Sequence, residues 1–265
     1  MSGFDKNWLT LREPADRDAR SKVLFESVNT YLGSHPLPHI IMDIGCGTGS
    51  TYRTLSPALP GAAWKLLDYE TALLDEAKRQ IGDRDNIEFH CQDLNQLDET
   101  LFSGVALVTA SALFDLCSAE FCNRFVDHLA RRKIGLYAAL NYDGIMEWSL
   151  KHPLDQQMVE DFNRHQRSDK GFGPALGPDA SDRLTALCEA RGFIVETAKS
   201  PWRLGPETAE LQKEFLLGFR QPIQEIGSIN SADFQAWLHF RLSNIGKEGS
   251  VCIVGHTDFL ALPCA

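Results

Sequence analysis

The sequence predicts an α/β fold: a doubly wound, mostly parallel sheet of seven strands, with helices on both faces and an antiparallel C-terminal strand. Three observations carry this. From residue 40 to residue 140, short apolar runs alternate with helix-length segments, the pattern of βα units around a parallel sheet. The first run, Ile40-Ile41-Met42-Asp43-Ile44, breaks into the alternating glycines of Gly45-Cys46-Gly47-Thr48-Gly49, as a buried strand does where a tight turn opens a helix. The last run, Val251 to Leu260, has no helix after it, so it is expected to pair antiparallel at the sheet's edge.

The elements follow in order. Asn7 to Leu32 reads as one or two helices interrupted at Glu13-Pro14, with an apolar stripe of Val23, Leu24, Val28, Tyr31 and Leu32. Gly33-Ser34-His35-Pro36 stops it. The first strand spans about His39 to Ile44, and a helix follows from Ser50 to Leu59. Ala63 to Asp68 is the second strand and Thr71 to Ile81 its helix. Ile87 to Cys91 is the third strand, Val105 to Thr109 the fourth with helix Ala119 to Arg131, and Ile134 to Leu140 the fifth. The alternation then lapses from Asn141 to Asp182, where one short helix near Gln156 to His165 is expected. Insertions of this length in compact domains are usually lids or binding loops. Helix Ala180 to Arg191, strand Phe193 to Ala198 and a helical stretch from Thr208 to about Leu242 precede the last strand.

Composition bounds the class. With 265 residues and 43% hydrophobic content the chain can bury one full core. A single domain over residues 1–265 is expected, with an N-terminal helical cover at 1–35 and a lid or substrate insertion at about 141–182. No apolar run is long enough to cross a membrane, and the first residues lack the basic and apolar blocks of a signal peptide. Seven scattered cysteines without a Cys-x-x-Cys pair read as reduced thiols, hence a cytoplasmic protein. A net charge of -10 points away from nucleic acid. No cysteine, histidine or carboxylate spacing recommends a metal.

The glycine turn opens a helix whose unpaired N–H groups and positive dipole end face any ligand in the turn. Such a turn suits a nucleotide-like cofactor, with two readings of which one. The dinucleotide fingerprint G-x-G-x-x-G places a third glycine where this chain has Ser50. The order Asp43-x-Gly45-x-Gly47-x-Gly49 instead resembles motif I of the class I S-adenosylmethionine-dependent methyltransferases, which have a Rossmann-like sheet. That resemblance covers Ile40 to Arg131 by motif and the remainder by architecture. It implies that Asp68, ending the second strand, holds the ribose hydroxyls with Tyr69 beside it. It also implies that Asp93 and the N–H of Leu94 meet the adenine, that Ser111 lies near the methionine part, and that Arg12 reaches its carboxylate. The Asn- or Asp-Pro-Pro-aromatic signature of amino-methylating DNA enzymes is missing from Ser111-Ala112-Leu113-Phe114-Asp115. The resemblance thus implies a methyltransferase using S-adenosylmethionine on a small-molecule acceptor, with O, N or S open as the methylated atom. An NAD-dependent oxidoreductase and a non-catalytic S-adenosylmethionine-binding protein are the alternatives.

Methyl transfer from a sulfonium is an in-line displacement, so positioning supplies much of the catalysis. A base is required only when the acceptor's proton must leave early. The densest polar and aromatic stretch is Phe162 to Gly173, where His165 has a base's ordinary pKa range. Arg164 and Lys170 suit an anionic acceptor, and Phe172 lies in a glycine-flanked hinge. Asn141 and Tyr142 follow the fifth strand, on the ligand-bearing edge of such a sheet. Trp148 and Trp202 are further candidates for an aromatic wall, and Asp115 could project toward the same edge.

Overall fold

The computed structural model describes residues 5–34 and 39–264 of the chain. Alternation along β1 (Ile40–Ile44) sets the layers, because successive side chains of a strand point to opposite faces. Ile41 packs with Trp64, Leu66, Leu107 and Tyr137 beneath helices carrying Val28, Tyr52 and Leu74. Met42 and Ile44 pack on the other face with Val108 and Leu136, beneath Phe121, Phe125 and Leu184. Both faces are covered, which is why these strands are apolar almost throughout.

The further strands are β2 (Ala63–Asp68), β3 (Ile87–Cys91), β4 (Val105–Ser111), β5 (Gly135–Trp148), β6 (Phe193–Lys199), β7 (Trp202–Leu204) and β8 (Cys252–Pro263). Among the described residues these eight form one sheet in the order β3-β2-β1-β4-β5-β8-β6, with β7 pairing β8 off that path. β1 to β5 are mutually parallel, and β8 runs antiparallel to β5 and β6. The expected seven strands are thus joined by a short eighth. β8 does not form the edge: it lies between β5 and β6, and its side chains are buried along most of its length. β6, whose residues alternate toward solvent, is the edge.

Three other expectations change. The N-terminal helix α1 (Lys6–Ala19) runs straight through Pro14. The break comes at Arg20-Ser21, where the Ser21 side chain accepts from Leu24 N at 3.3 Å and starts α2 (Lys22–Gly33). α2 ends at Gly33 with Ser34 as its C-cap, at the expected stop, whose His35-Pro36 lie outside the described residues. β5 continues eight residues past Leu140, and only after Trp148 does the chain leave the sheet for α6 (Asp155–Gln166). Irregular pairing with β8 on either side of Asn141 hides this strand in the sequence, since the bulges shift the two-residue alternation. The C-terminal helical stretch divides into α8 (Ala209–Leu217), α9 (Arg220–Ile226) and α10 (Ser231–Asn244). These cover the extension of β5, with Phe219, Ile223 and Trp237 packed on Trp148, Trp202 and Val254.

The remaining helices are α3 (Ser50–Leu55), α4 (Thr71–Ile81), α5 (Ala119–Arg132) and α7 (Ala180–Glu189). One buried carboxylate ties distant parts together. Asp258 accepts from Ser21 N at 2.8 Å, Leu140 N at 2.8 Å, the Tyr137 hydroxyl at 3.2 Å and Ser200 Oγ at 2.6 Å. It thereby fixes the start of α2, and the kink of β5 at Leu140, where φ is 56°, against the middle of β8.

Candidate functional site

The order of strands reverses at β1, so the crevice beyond the carboxyl ends of β1 and β4 is where an open α/β sheet binds ligands. Gly45, Gly47 and Gly49 all have positive φ, at 61°, 54° and 82°. They fold the chain back so that Gly49 precedes α3 and the backbone lines the crevice. Gly47 N donates to Asp68 Oδ2 at 2.8 Å, which ties the turn to the end of β2. Asp68 Oδ1 accepts from Glu70 N at 3.0 Å. A cavity of about 340 Å³ results, walled by Gly45, Gly47, Asp68, Tyr69, Asp93, Leu94, Ser111 and Arg12. Leu9 of α1 and Lys170-Gly171-Phe172 of the segment between α6 and α7 close it from above. That segment is held by Asn95 Nδ2 donating to Gly171 O at 3.1 Å and by the Phe172 ring against Phe121 at 4.8 Å. Asn95 is itself held by Asp93, whose side chain accepts from Asn95 N at 2.9 Å.

Two buried charged groups stand behind this cavity. Asp43 is wholly buried; Thr109 Oγ1 donates to its Oδ1 at 2.7 Å, and its Oδ2 has no partner among the described residues. Burial pushes its carboxyl up to about 7, against the lowering effects of the Thr109 hydrogen bond and the Arg20 charge. Burial likewise raises Asp68. Arg20, in the break between α1 and α2, donates from Nη2 to Thr51 Oγ1 at 3.2 Å and Ser111 Oγ at 3.0 Å. Its Nε and Nη1 are buried without partners among the described residues. Thr51 and Ser111 line the cavity. A glycine turn with carboxylates at the ends of two strands, backed by Arg20 through Thr51 and Ser111, fits a ligand bearing an α-amino acid and a ribose. S-adenosylmethionine is such a ligand.

A second cavity of about 240 Å³ shares Arg12, Ala112 and Leu116 with the first. Its walls are aromatic: Trp8, Tyr142, Phe162, Trp202 and Phe215, with His256 on β8. Arg12 stands at the junction. Its guanidinium pairs with Asp16 at 2.8 and 3.2 Å and lies 5.0 Å from the Trp202 ring centroid. Burial and the Arg12 charge push His256 down to about 3, so its imidazole is neutral.

The residues expected from the sequence distribute unevenly. Arg12, Gly45, Gly47, Asp68, Tyr69, Asp93, Leu94 and Ser111 meet around the first cavity, with Asp43 one layer behind and Gly49 at the start of α3. Tyr142 and Trp202 line the second cavity, while Trp148 packs in the apolar cluster under α10. Lys170 and Phe172, expected beside an acceptor, line the first cavity instead. Asn141 turns inward, its Nδ2 donating to Ala138 O at 3.1 Å and Thr257 O at 3.2 Å. Arg164 points outward and pairs with Asp161 at 3.1 Å. His165 lines neither cavity; its ring contacts Glu225 at 2.9 Å and Lys170 at 3.2 Å. Arg20, Asp16, Glu214 and His256 went unnoticed because each reaches the site across a long stretch of sequence. Arg20 had one available signal, a third arginine after Arg12 and Arg17 in the N-terminal helical segment.

A family model described as a methyltransferase domain matches residues 41–132. The chain is 32% identical over 244 residues to malonyl-[acyl-carrier protein] O-methyltransferase of Anoxybacillus flavithermus, covering 85% of this chain and 83% of that protein. To malonyl-[acyl-carrier protein] O-methyltransferase 1 of Ilyobacter polytropus it is 26% identical over 109 residues, and the match spans 41% of this chain and 37% of that protein. The solved structure of the cyclopropane synthase MmaA2 from Mycobacterium tuberculosis superposes with a TM-score of 0.54 at 13% identity, covering 98% of this chain and 94% of that one. At that identity the likeness is one of fold.

Proposed function

The chain belongs to the class I S-adenosylmethionine-dependent methyltransferases, and from that premise we propose that it methylates a small organic acceptor held in the aromatic cavity around Trp8, Tyr142 and Trp202. Its methyl donor is S-adenosylmethionine, which supplies an electrophilic methyl group on a sulfonium. In this reading Asp68 and Tyr69 take the ribose, Asp93 and Leu94 the adenine, and the turn from Gly45 to Gly49 with Arg20 and Ser111 the aminoacyl end. The observation that carries the acceptor's place is the junction of the two cavities at Arg12, Ala112 and Leu116. An acceptor in the second cavity meets the donor there, screened from water by α1 and by Lys170 to Phe172. Among the described residues no helix is long and apolar enough to cross a membrane.

A second reading takes the acceptor named for the bacterial relatives, an acyl group on a carrier protein; the identity to those relatives supports it. Calorimetric titration with S-adenosylhomocysteine and NAD, followed by incubation with methyl-labelled S-adenosylmethionine, decides between the readings. Binding of the adenosyl ligand alone, and label in the small-molecule fraction of a cell extract, are expected. Label appearing only on malonyl-loaded carrier protein establishes the second reading. Good binding with no label anywhere would leave a protein that binds the donor without transferring its methyl group.

A further inference from the structure

The second cavity holds a carboxylate that the fold leaves unpartnered. Asp115 lies in the helical turn 114–116 after β4, only 7% exposed, and its Oδ1 has no hydrogen-bond partner among the described residues. It lies between Ala112 and Leu116, which line both cavities, and within reach of the Arg12 charge. A buried acceptor atom left without a donor is costly, so a site that keeps one is completed by its ligand.

The surrounding charges narrow what that ligand is. Arg12 is the cation on the cavity wall; its guanidinium is paired with Asp16, which also accepts from Trp202 Nε1 at 2.9 Å, while the Arg12 charge still reaches Asp115 and His256. Glu214 on α8 adds a second carboxylate to the wall. His256 on β8 is held neutral, and its Nδ1 also has no partner among the described residues. The Tyr142 hydroxyl on β5 is engaged with Asn163 Oδ1 at 2.7 Å, and burial raises the thiol of nearby Cys117, keeping it protonated. A carboxylate acceptor would face Asp115 and Glu214 here, and the wall's cation is already paired with Asp16.

We infer that the methyl acceptor is a hydroxyl or amine on a flat apolar body, that it donates its O–H or N–H to Asp115 Oδ1, and that Asp115 takes this proton during transfer. The inference rests on the methyltransferase reading and names its substrate class. The acceptor's lone pair forms the new bond to the methyl carbon. The sulfur–carbon bond breaks with its electron pair left on sulfur, and the proton passes to Asp115 and then to water. Burial pushes the Asp115 carboxyl up to about 6, so near neutrality it is ionised and still basic enough to accept a proton.

The test uses the full chain saturated with S-adenosylhomocysteine and three probes, 4-methylphenol, benzylamine and benzoate, with binding read from tryptophan fluorescence. At least one of the protic probes should bind about tenfold or more tightly than benzoate, given what a hydrogen bond to a charged group contributes. Asp115→Asn should weaken that probe and strengthen benzoate, because an amide can donate to a carboxylate. With methyl-labelled donor, transfer to the bound probe should fall below about pH 6 in the wild type. The variant should lose that limb and slow by about a hundred- to ten-thousandfold. Benzoate binding as tightly as both protic probes, or neither protic probe binding, overturns the inference. These wild-type results decide it even if the variant does not fold, and unchanged S-adenosylhomocysteine affinity shows that it does. Failure of the wild type to bind S-adenosylhomocysteine at all would instead sink the methyltransferase reading.

Discussion

Arg20 shows how a single side chain is read once its surroundings are known. The guanidinium is held by Thr51 and Ser111 through Nη2, while its Nε and Nη1 are buried without hydrogen-bond partners among the described residues. A carboxylate meeting the guanidinium gains charge-assisted hydrogen bonds worth ~1.5–3 kcal/mol. Arg20→Ala should therefore raise the dissociation constant for S-adenosylmethionine by about ten- to a hundredfold in calorimetry, and an unchanged constant would remove Arg20 from the donor site. Asp43 carries a pH signature. Its pKa rises from 3.8 to about 7 on folding, chiefly because burial disfavours the charged form. The folded chain then binds this proton more tightly than the unfolded one. The stabilisation is complete below pH 3.8 and is lost as pH rises through about 7. Asp43→Asn has no such proton, so the wild type should lose stability relative to the variant between about pH 5 and about pH 8, by ~3 kcal/mol at most. Thermal melts of both proteins at the two pH values measure this; a constant difference would show that Asp43 is not the group.

Among the elements, the junction of β1 with α3 is the most constrained. Gly49 has φ 82°, and a Cβ there would lie 2.8 Å from Ile81 Cδ1 of α4. Gly49→Ala thus meets both left-handed strain and a collision, and should cost ~1–3 kcal/mol. Pairing it with Ile81→Val removes the colliding methyl and should restore part of the loss, as chemical denaturation of the single and double variants would show. No recovery would mean that backbone strain alone sets the cost. This junction was legible because all its determinants are local: three glycines, a strand-end acid and a helix start lie within eight residues. The extension of β5 was not legible. Leu140 at φ 56° and Gly144 at φ 85° interrupt its alternation, and only the pairing with β8, more than a hundred residues later, holds it as a strand.

For the molecule as a whole, Asp258 joins the start of α2, the kink in β5 and the loop after β6 through four accepted hydrogen bonds. Asp258→Ala leaves those donors buried and unpaired, so a loss of ~3–5 kcal/mol is expected. Because Ser21 directly follows Arg20 in the break between α1 and α2, donor affinity should fall in the same variant. Equilibrium unfolding with and without S-adenosylhomocysteine tests both, and a loss under about 1 kcal/mol would show the hub to be dispensable. By itself the sequence determined the parallel βα core, the glycine turn and the strand-end acids Asp68 and Asp93. Each of these depends on residue type at a fixed local spacing, which hydrophobic period and backbone sterics dictate without reference to the rest of the chain. Tertiary structure alone decided that Arg20 meets Ser111, that Arg12 lies against Trp202, that β8 lies inside the sheet, and that Asp115 lines an aromatic cavity with no partner for its Oδ1 among the described residues. Those are contacts between segments tens to hundreds of residues apart, set by how the layers pack, and no local pattern encodes them.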